Sequence, residues 1–452
     1  MMAAFIILTA LLALLPTLMM VDGIIANGIA SAIVGIAIVT VALTLNTSDL
    51  NRFSRLLGPT GFIVLFIPCL WMLLQALPIP APSLANPVWV SAAAALDKPF
   101  VGAISSDIGA TLLSLAHYCA SLATAFVAAT VTLNKQRADS VLSLLTAVAA
   151  LIAAGLIGFD LGYLRSPGFE HLGERADAMN IAVIGFILSC ATTIRAYEHI
   201  DTPKTLHRKS RMTAIVPSMA ALFIFLSAIL ISADAVLLFA ALFGTGILIS
   251  VSAIRRWRAG LWGQAGIAAL AAVVVVGFLA VVPLKKDTDP TLALTRGEIS
   301  SLEQMLSDTK WAGSGAGSFE ALLPVYRGAD EADSFEIPTA AAIIAIEMGQ
   351  LFLWTCVIVF LIGASTLFRR ALLRGRDYVY SGAGAGCIIA LLISLFANDG
   401  ILGLAPSLMI SVLCGLAFSQ SRSSSNRDSD PSGGAVHYLK QRERRAAAGA
   451  SR

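Results

Sequence analysis

An all-α, polytopic membrane protein is the fold this sequence predicts, and three observations carry that expectation. Apolar runs recur along most of the 452 residues, each long enough to cross about 30 Å of hydrocarbon. Only 13% of the residues are charged, where a soluble domain carries roughly 25%. The charges present gather in the loops between the runs. Lipid offers the backbone no hydrogen-bond partners, so such runs are helices rather than strands.

Twelve spans follow in order, near residues 3–20, 24–45, 58–79, 108–132, 140–158, 179–197, 213–232, 235–254, 264–283, 338–363, 380–397 and 401–418. The first lacks the basic leader and small-residue cleavage site of a signal peptide, so it reads as a retained span. All six cysteines (Cys69, Cys119, Cys190, Cys356, Cys387, Cys414) lie inside apolar runs and read as small hydrophobes. No CxxC pair or disulfide framework is suggested. His117, in "LAHYCASL", reads as a packing or hydrogen-bonding residue within the fourth span.

The loops alternate in charge. Of the 31 lysines and arginines, 23 fall in one set, which runs from Arg52 and Arg55 through the "TPKTLHRKSR", "RRWR" and "RRALLRGR" loops to the tail. By the positive-inside rule that set, and both termini, are cytoplasmic. The membrane domain therefore spans 1–419, and residues 420–452, Ser- and Arg-rich with little apolar content, read as a disordered basic cytoplasmic tail.

Two long loops face the other way. The first, 79–107, begins "PIPAPSLANPVW" and continues into the alanine-rich "VSAAAALDKP", which suits a short helix at the membrane surface. The second, 284–337, holds five basic and ten acidic residues. Long loops that persist in a compact fold are usually functional. Within it, Thr295 and Glu298 have capping-box spacing. Ile299, Leu302, Met305 and Leu306 make an apolar stripe at helical period, as expected of a short interfacial helix. Arg296 sits in that helix's first turn, where the dipole favours an acid.

"GSGAGSF" follows, with Gly313, Gly315 and Gly317. The run reads either as a tight turn or as backbone N–H groups turned toward an anion; its GxGxG spacing is not a dinucleotide fingerprint. Pro338 suits the first turn of the tenth span. Glu347, nine residues on, would then lie about 14 Å deep in a continuous helix. A carboxyl so placed is either a functional group or a protonated Glu bonded to a neighbouring helix.

Taken together, these stretches resemble the bacterial O-antigen ligase and O-antigen polymerase family. "NPVWVSAAAALDKPFVGAISSDIGATL" is similar to that family's first outward loop with its "ISxD" motif. "TRGEISSLEQMLSDTKWAGSGAGSFEALLPVYR" resembles its large periplasmic loop, and "AAIIAIEMGQLFLW" its "E-x-G" helix, with Glu347 and Gly349 in place. "SLFANDGILGLAPSLMISVLCGLAF" resembles its closing helical pair, with Asp399 between. Where the family carries His-Asn, nine residues before the Glu, this chain has Pro338 and Thr339. Where the family carries Ser-Arg between the seventh and eighth spans, it has Ser232, Ala233 and Asp234.

What the resemblance implies is a metal-independent glycosyltransferase of the bacterial inner membrane, acting in lipopolysaccharide or exopolysaccharide biosynthesis. Its donor would be a glycan on undecaprenyl diphosphate, and its acceptor the lipid A core or another glycan. Arginine suits a diphosphate leaving group through bidentate geometry. Arg296 takes that role, with Arg327 second and the backbone of Gly313, Gly315 and Gly317 in support. With the family histidine absent, Glu336 or Asp333 stands nearest in sequence as general base. Tyr326 and Glu347 complete the substrate-binding set. No cofactor, metal or nucleic acid is expected. A non-catalytic scaffold of a polysaccharide assembly complex and a secondary transporter or flippase are the alternatives.

Overall fold

A computed structural model describes the chain except for residues 22, 46, 79–84, 98–100, 164–174, 201–207, 233, 258–300, 310, 327–337, 374–376 and 423–452. Fifteen α-helices and one 3-10 turn make up the described residues, with no strand among them. The first five helices are α1 (Met2–Leu18), α2 (Gly23–Thr44), α3 (Thr47–Ala76), α4 (Pro87–Leu96) and α5 (Ile108–Val131). Then come α6 (Lys135–Asp160), α7 (Arg175–Ile200), α8 (Arg208–Ile231) and α9 (Ala235–Trp257). Three short helices follow: α10 (Ser301–Asp308), α11 (Phe319–Tyr326) and α12 (Ala340–Met348). The last three are α13 (Gln350–Leu373), α14 (Tyr378–Leu395) and α15 (Leu404–Arg422).

Eight of these are long and apolar enough to cross a membrane: α2, α5, α6, α7, α9, α13, α14 and α15. They coincide with eight of the twelve expected spans. Three others, at 3–20, 58–79 and 213–232, fall on shorter apolar helices, Met2–Leu18, Gly61–Ala76 and Val216–Ile231. The expected span at 264–283 lies outside the described residues, as does the tail from residue 423; residues 420–422, expected in the disordered tail, instead complete the last helix, with Gln420 buried.

One expected span is interrupted. The helix read as continuous over 338–363 breaks at Gly349, whose φ is 97°. Glu347 therefore sits in the last turn of the short α12, and the membrane-length helix begins at Gln350. Pro338 precedes the helix, and Thr339 caps it, its Oγ1 accepting from the Ala342 N–H at 3.2 Å.

At the centre stands α14, whose "SGAGAG" segment is buried on every side. Its small residues let α9 approach so closely that a Cβ on Gly386 would meet the Gly244 carbonyl oxygen at 2.4 Å. Around this axis α7 and α9 pack on one flank and α13 and α15 on the other. In hydrocarbon, where lipid tails are as apolar as Leu, such close backbone approach is what holds helices together.

The two ends of the bundle differ in charge. At one end Arg195 pairs with Asp139 and lies over the Tyr380 ring at 4.9 Å. Lys135 meets Asp377 at 2.5 Å. Arg255 lies over Tyr378 at 4.5 Å and donates to the Ala371 carbonyl at 3.0 Å. Every lysine and arginine whose side chain is described lies here: Lys135, Arg137, Arg195, Arg255, Arg369 and Arg370. At the opposite end the described charges are carboxylates, among them Asp107, Asp308, Glu320, Glu347 and Asp399. That end holds the candidate site.

Candidate functional site

Four segments meet at the acidic end. The last turn of α3 brings Trp71 and Gln75. Residues 103–111 lead into α5. The glycine loop, 311–319, joins α10 to α11, and residues 346–349 close α12. Each arrives with backbone groups that its own helix cannot satisfy.

Gln75 links three of these segments. It is fully buried, and its Nε2 donates to the carbonyls of Ala312 and Glu347, both at 2.9 Å. Its Oε1 accepts from the Ala316 N–H at 3.3 Å. Its backbone carbonyl accepts from the Ser105 N–H at 3.0 Å. Trp71 supplies the neighbouring bond, Nε1 to the Met348 carbonyl at 3.1 Å. The carbonyls at the end of α12, orphaned by the break at Gly349, thus find their partners on α3 and on the loop.

The loop is stitched to its surroundings along its length. The Ser314 N–H donates to the Ile346 carbonyl at 2.9 Å and the Gly315 N–H to the Glu347 carbonyl at 3.0 Å. On the other flank, the Ser106 N–H donates to the Ser314 carbonyl at 2.8 Å. Thr111 Oγ1 donates to the Ala316 carbonyl at 3.0 Å. All three glycines have positive φ: 78° at Gly313, 108° at Gly315 and 75° at Gly317. At Gly313 a Cβ would also meet the Glu347 carbonyl oxygen at 2.2 Å, so the position admits only glycine on two counts.

Glu347 is the carboxyl around which the loop closes. Its Oε1 accepts from the Phe319 N–H at 3.1 Å, and the Gly317 N–H also bonds to this carboxyl. The anion-cradle reading of the sequence thus finds an internal carboxyl in the cradle. Burial pushes the Glu347 carboxyl up to about 7, with Glu320 adding to the rise, while the Gly317 and Phe319 N–H groups pull it down. A group whose folded pKa is raised above its unfolded value favours the protonated folded form, so its contribution is complete at acid pH and declines as pH rises through about 7. Hydrogen exchange of the 314–319 amides should therefore be slowest, after correction for intrinsic rates, near pH 5 and faster at pH 8. Glu347→Gln, which keeps an acceptor without a titratable proton, should flatten that dependence. Glu347→Ala orphans two N–H groups and should cost about 2–4 kcal/mol. Identical pH profiles for wild type and Glu347→Gln would refute the assignment.

The apolar stripe expected of the 300s helix is present. Leu302 and Met305 of α10 are buried against Phe319, Ala342 and Ile346, which ties α10 and α11 onto α12. Tyr326, at the end of α11, hydrogen-bonds Asp308. Its phenol is raised above the ordinary value by burial and by that carboxylate. Arg296, Arg327, Asp333 and Glu336 lie outside the described residues, as do Thr295, Glu298 and Ile299. His117 bridges Asn27, at 3.0 Å, and Ser407, at 2.9 Å, joining α5 to α2 and α15 as a hydrogen-bonding residue.

Sequence reasoning names Gly313, Gly315, Gly317 and Glu347 as site residues, the glycines and the acid as separate features, and misses Gln75, Trp71, Ser105 and Thr111. Gln75 had a signal available: it is a lone amide at the end of the apolar run "GFIVLFIPCLWMLLQAL". A polar side chain there needs a partner for the same reason an acid does.

Among the described residues these features define a class, an all-helical fold with eight helices long and apolar enough to cross a membrane, one basic end and a hydrogen-bonded polar unit at the other. No protein-family model matches this chain, and no curated protein shows significant similarity to it.

Proposed function

We propose that the protein transfers or polymerises a glycan carried on undecaprenyl diphosphate, at the periplasmic face of the inner membrane. One observation supports this reading most strongly. The segments bearing the family resemblance are far apart in the chain, yet the 103–111 stretch, the glycine loop and the Glu347–Gly349 turn share hydrogen bonds in one unit. The turn beside Asp399 is tied to the same end, because the Ala340 N–H donates to the Asn398 carbonyl at 3.0 Å. The charge asymmetry supports the orientation: the basic end faces the cytoplasm, with both termini, in a twelve-span topology.

On this reading the polar unit is a rigid platform rather than the reacting groups themselves. It fixes α10 and α11, the helices after which Lys310 and Arg327 follow in the chain and before which Arg296 precedes. The acceptor oxygen attacks the anomeric carbon, the bond to the diphosphate breaks, and arginine charge stabilises the departing phosphates. Glu336 or Asp333 takes the hydroxyl proton.

Arg296→Ala should lower surface glycan output about 100-fold, the scale of losing one transition-state contact. Full output from that variant would remove the diphosphate role. The glycan of a deletion strain then sorts the reaction. Long chains unattached to core mean ligase, single repeats mean polymerase, and loss of a secreted polymer means exopolysaccharide synthesis.

A further inference from the structure

Each segment of the polar unit carries an exposed, large apolar side chain beside the polar groups it contributes. Leu77 follows Gln75 by two positions at the end of α3. Val101 precedes the 103–111 stretch, and Leu112 and Leu113 follow it. In the loop, Trp311 is 61% exposed although Ala312 next to it is buried. Leu351, two residues past the break at Gly349, is 69% exposed.

The short helix α4 repeats the pattern. Its sequence, "PVWVSAAAAL", carries no charge, and none of its residues is buried. Val90 is 66% exposed, and Val88 and Leu96 are exposed with it. Both ends of the helix are nonetheless satisfied. Asn86 Oδ1 accepts from the Val88 N–H at 3.1 Å, and the Asn86 N–H donates to the Ala103 carbonyl at 2.9 Å. At the other end the Asp97 N–H donates to the Ala93 carbonyl. Trp89 Nε1 donates to the Ser105 carbonyl at 2.8 Å, which fastens α4 to the unit.

Water is a poor solvent for such a rim, because contiguous apolar patches beyond about 300–600 Å² are rare on water-facing surfaces. Lipid makes a different demand: irregular backbone at membrane depth must be paired within the protein. The glycine loop meets it. Residues 312–316 are buried, and the Ser314 and Gly315 N–H groups and the Ala312 and Ala316 carbonyls are all bonded. Continuity points the same way. Leu112 and Leu113 belong to α5, and Leu351 and the exposed Trp354 to α13, both long and apolar enough to cross a membrane. Chains that cover those helices reach the rim without a break.

We infer that lipid acyl chains cover the outer face of α4 and the rim of the polar unit, so that the unit lies within the leaflet rather than upon it. The sequence alone suits α4 to the membrane surface; the exposed rim on every neighbouring segment sets it deeper. A molecule anchored in that leaflet then meets the unit by lateral diffusion. The inference stands apart from the transferase reading and holds whether or not glycan is transferred.

The test replaces Val90, Val101, Leu351 and Glu320 singly by photoreactive p-benzoylphenylalanine in the full-length protein. Each variant is irradiated in vesicles of phosphatidylethanolamine and phosphatidylglycerol, and its adducts are identified by mass spectrometry. Lipid adducts should be at least about tenfold more abundant at 90, 101 and 351 than at 320, an exposed carboxylate position that belongs in water. Val88 and Leu96 stand in for any position whose variant unfolds below the wild-type temperature. Lipid adducts at 90 and 101 no more abundant than at 320 would show that water bathes this face. Cross-links from 90 and 101 to protein instead of lipid would show that a second copy covers it. Either result overturns the inference.

Discussion

Gly349→Ala should unseat the glycine loop. A Cβ on this residue would lie 2.1 Å from the Trp311 carbonyl oxygen and 3.3 Å from the Gly313 nitrogen. The φ of 97° is itself a conformation that side-chain-bearing residues adopt at a cost of about 1–3 kcal/mol. Neither partner can yield cheaply, because both contacts are backbone. Alanine either drives α12 and α13 toward one continuous helix or pushes residues 311–313 outward. Each route breaks the bonds from Ser314 and Gly315 to the end of α12. Amides of 314–319 should lose most of their protection against hydrogen exchange, and a protease should cut between α10 and α11 far faster than in wild type. Gly35→Ala is the matched control: that glycine has nothing within 4 Å of its Cβ position, so the change should be silent. Wild-type protection of 314–319 in Gly349→Ala would show that the break is not what holds the loop.

Gln75→Leu should be nearly as damaging, for a different reason. Leucine fits the volume but offers no polar atom. The Ala312 carbonyl and the Ala316 N–H would then lose their partner at a buried position, and the Glu347 carbonyl would keep only the Gly315 N–H. Each orphaned group costs about 1–3 kcal/mol, so the two together are a large share of the stability of a typical domain. The expected result is a thermal transition lowered by many degrees, or failure to accumulate in the membrane. The environment of Trp311, 6.2 Å from Trp71, should also change. Gln75→Ala should lie close to leucine and below Gln75→Glu, which keeps an acceptor for the Ala316 N–H. A leucine variant with wild-type unfolding would mean that water replaces the amide, and that Gln75 is not the link.

Local pattern made much of this legible. Long apolar runs announced the spans, and the Leu302 and Met305 spacing announced the stripe of α10. Clustered glycines marked 313–317 as a place where the backbone does something unusual. The break at Gly349 was not legible. "AAIIAIEMGQLFLW" keeps a helical appearance throughout, and glycine is common in membrane helices. The interruption is decided by tertiary partners on α3 and the loop, which accept no local signature. Gln75 was hidden likewise, because its partners lie 237 and 272 residues away. The cradle was recognised by its glycines, yet its occupant, Glu347, stood 30 residues from Gly317 and was read as a separate feature. Sequence gave each part its type and left the pairing to packing.

The long reach of Gln75 also has a bearing on biosynthesis. Ribosomes add about 5–20 residues per second, so the amide emerges roughly 10–50 seconds before the residues it will hold. Throughout that interval the first helices sit in the bilayer with an unclaimed donor and acceptor. A chain truncated before residue 312 keeps Gln75 without the partners it holds in the full-length protein, and should therefore accumulate to a lower level.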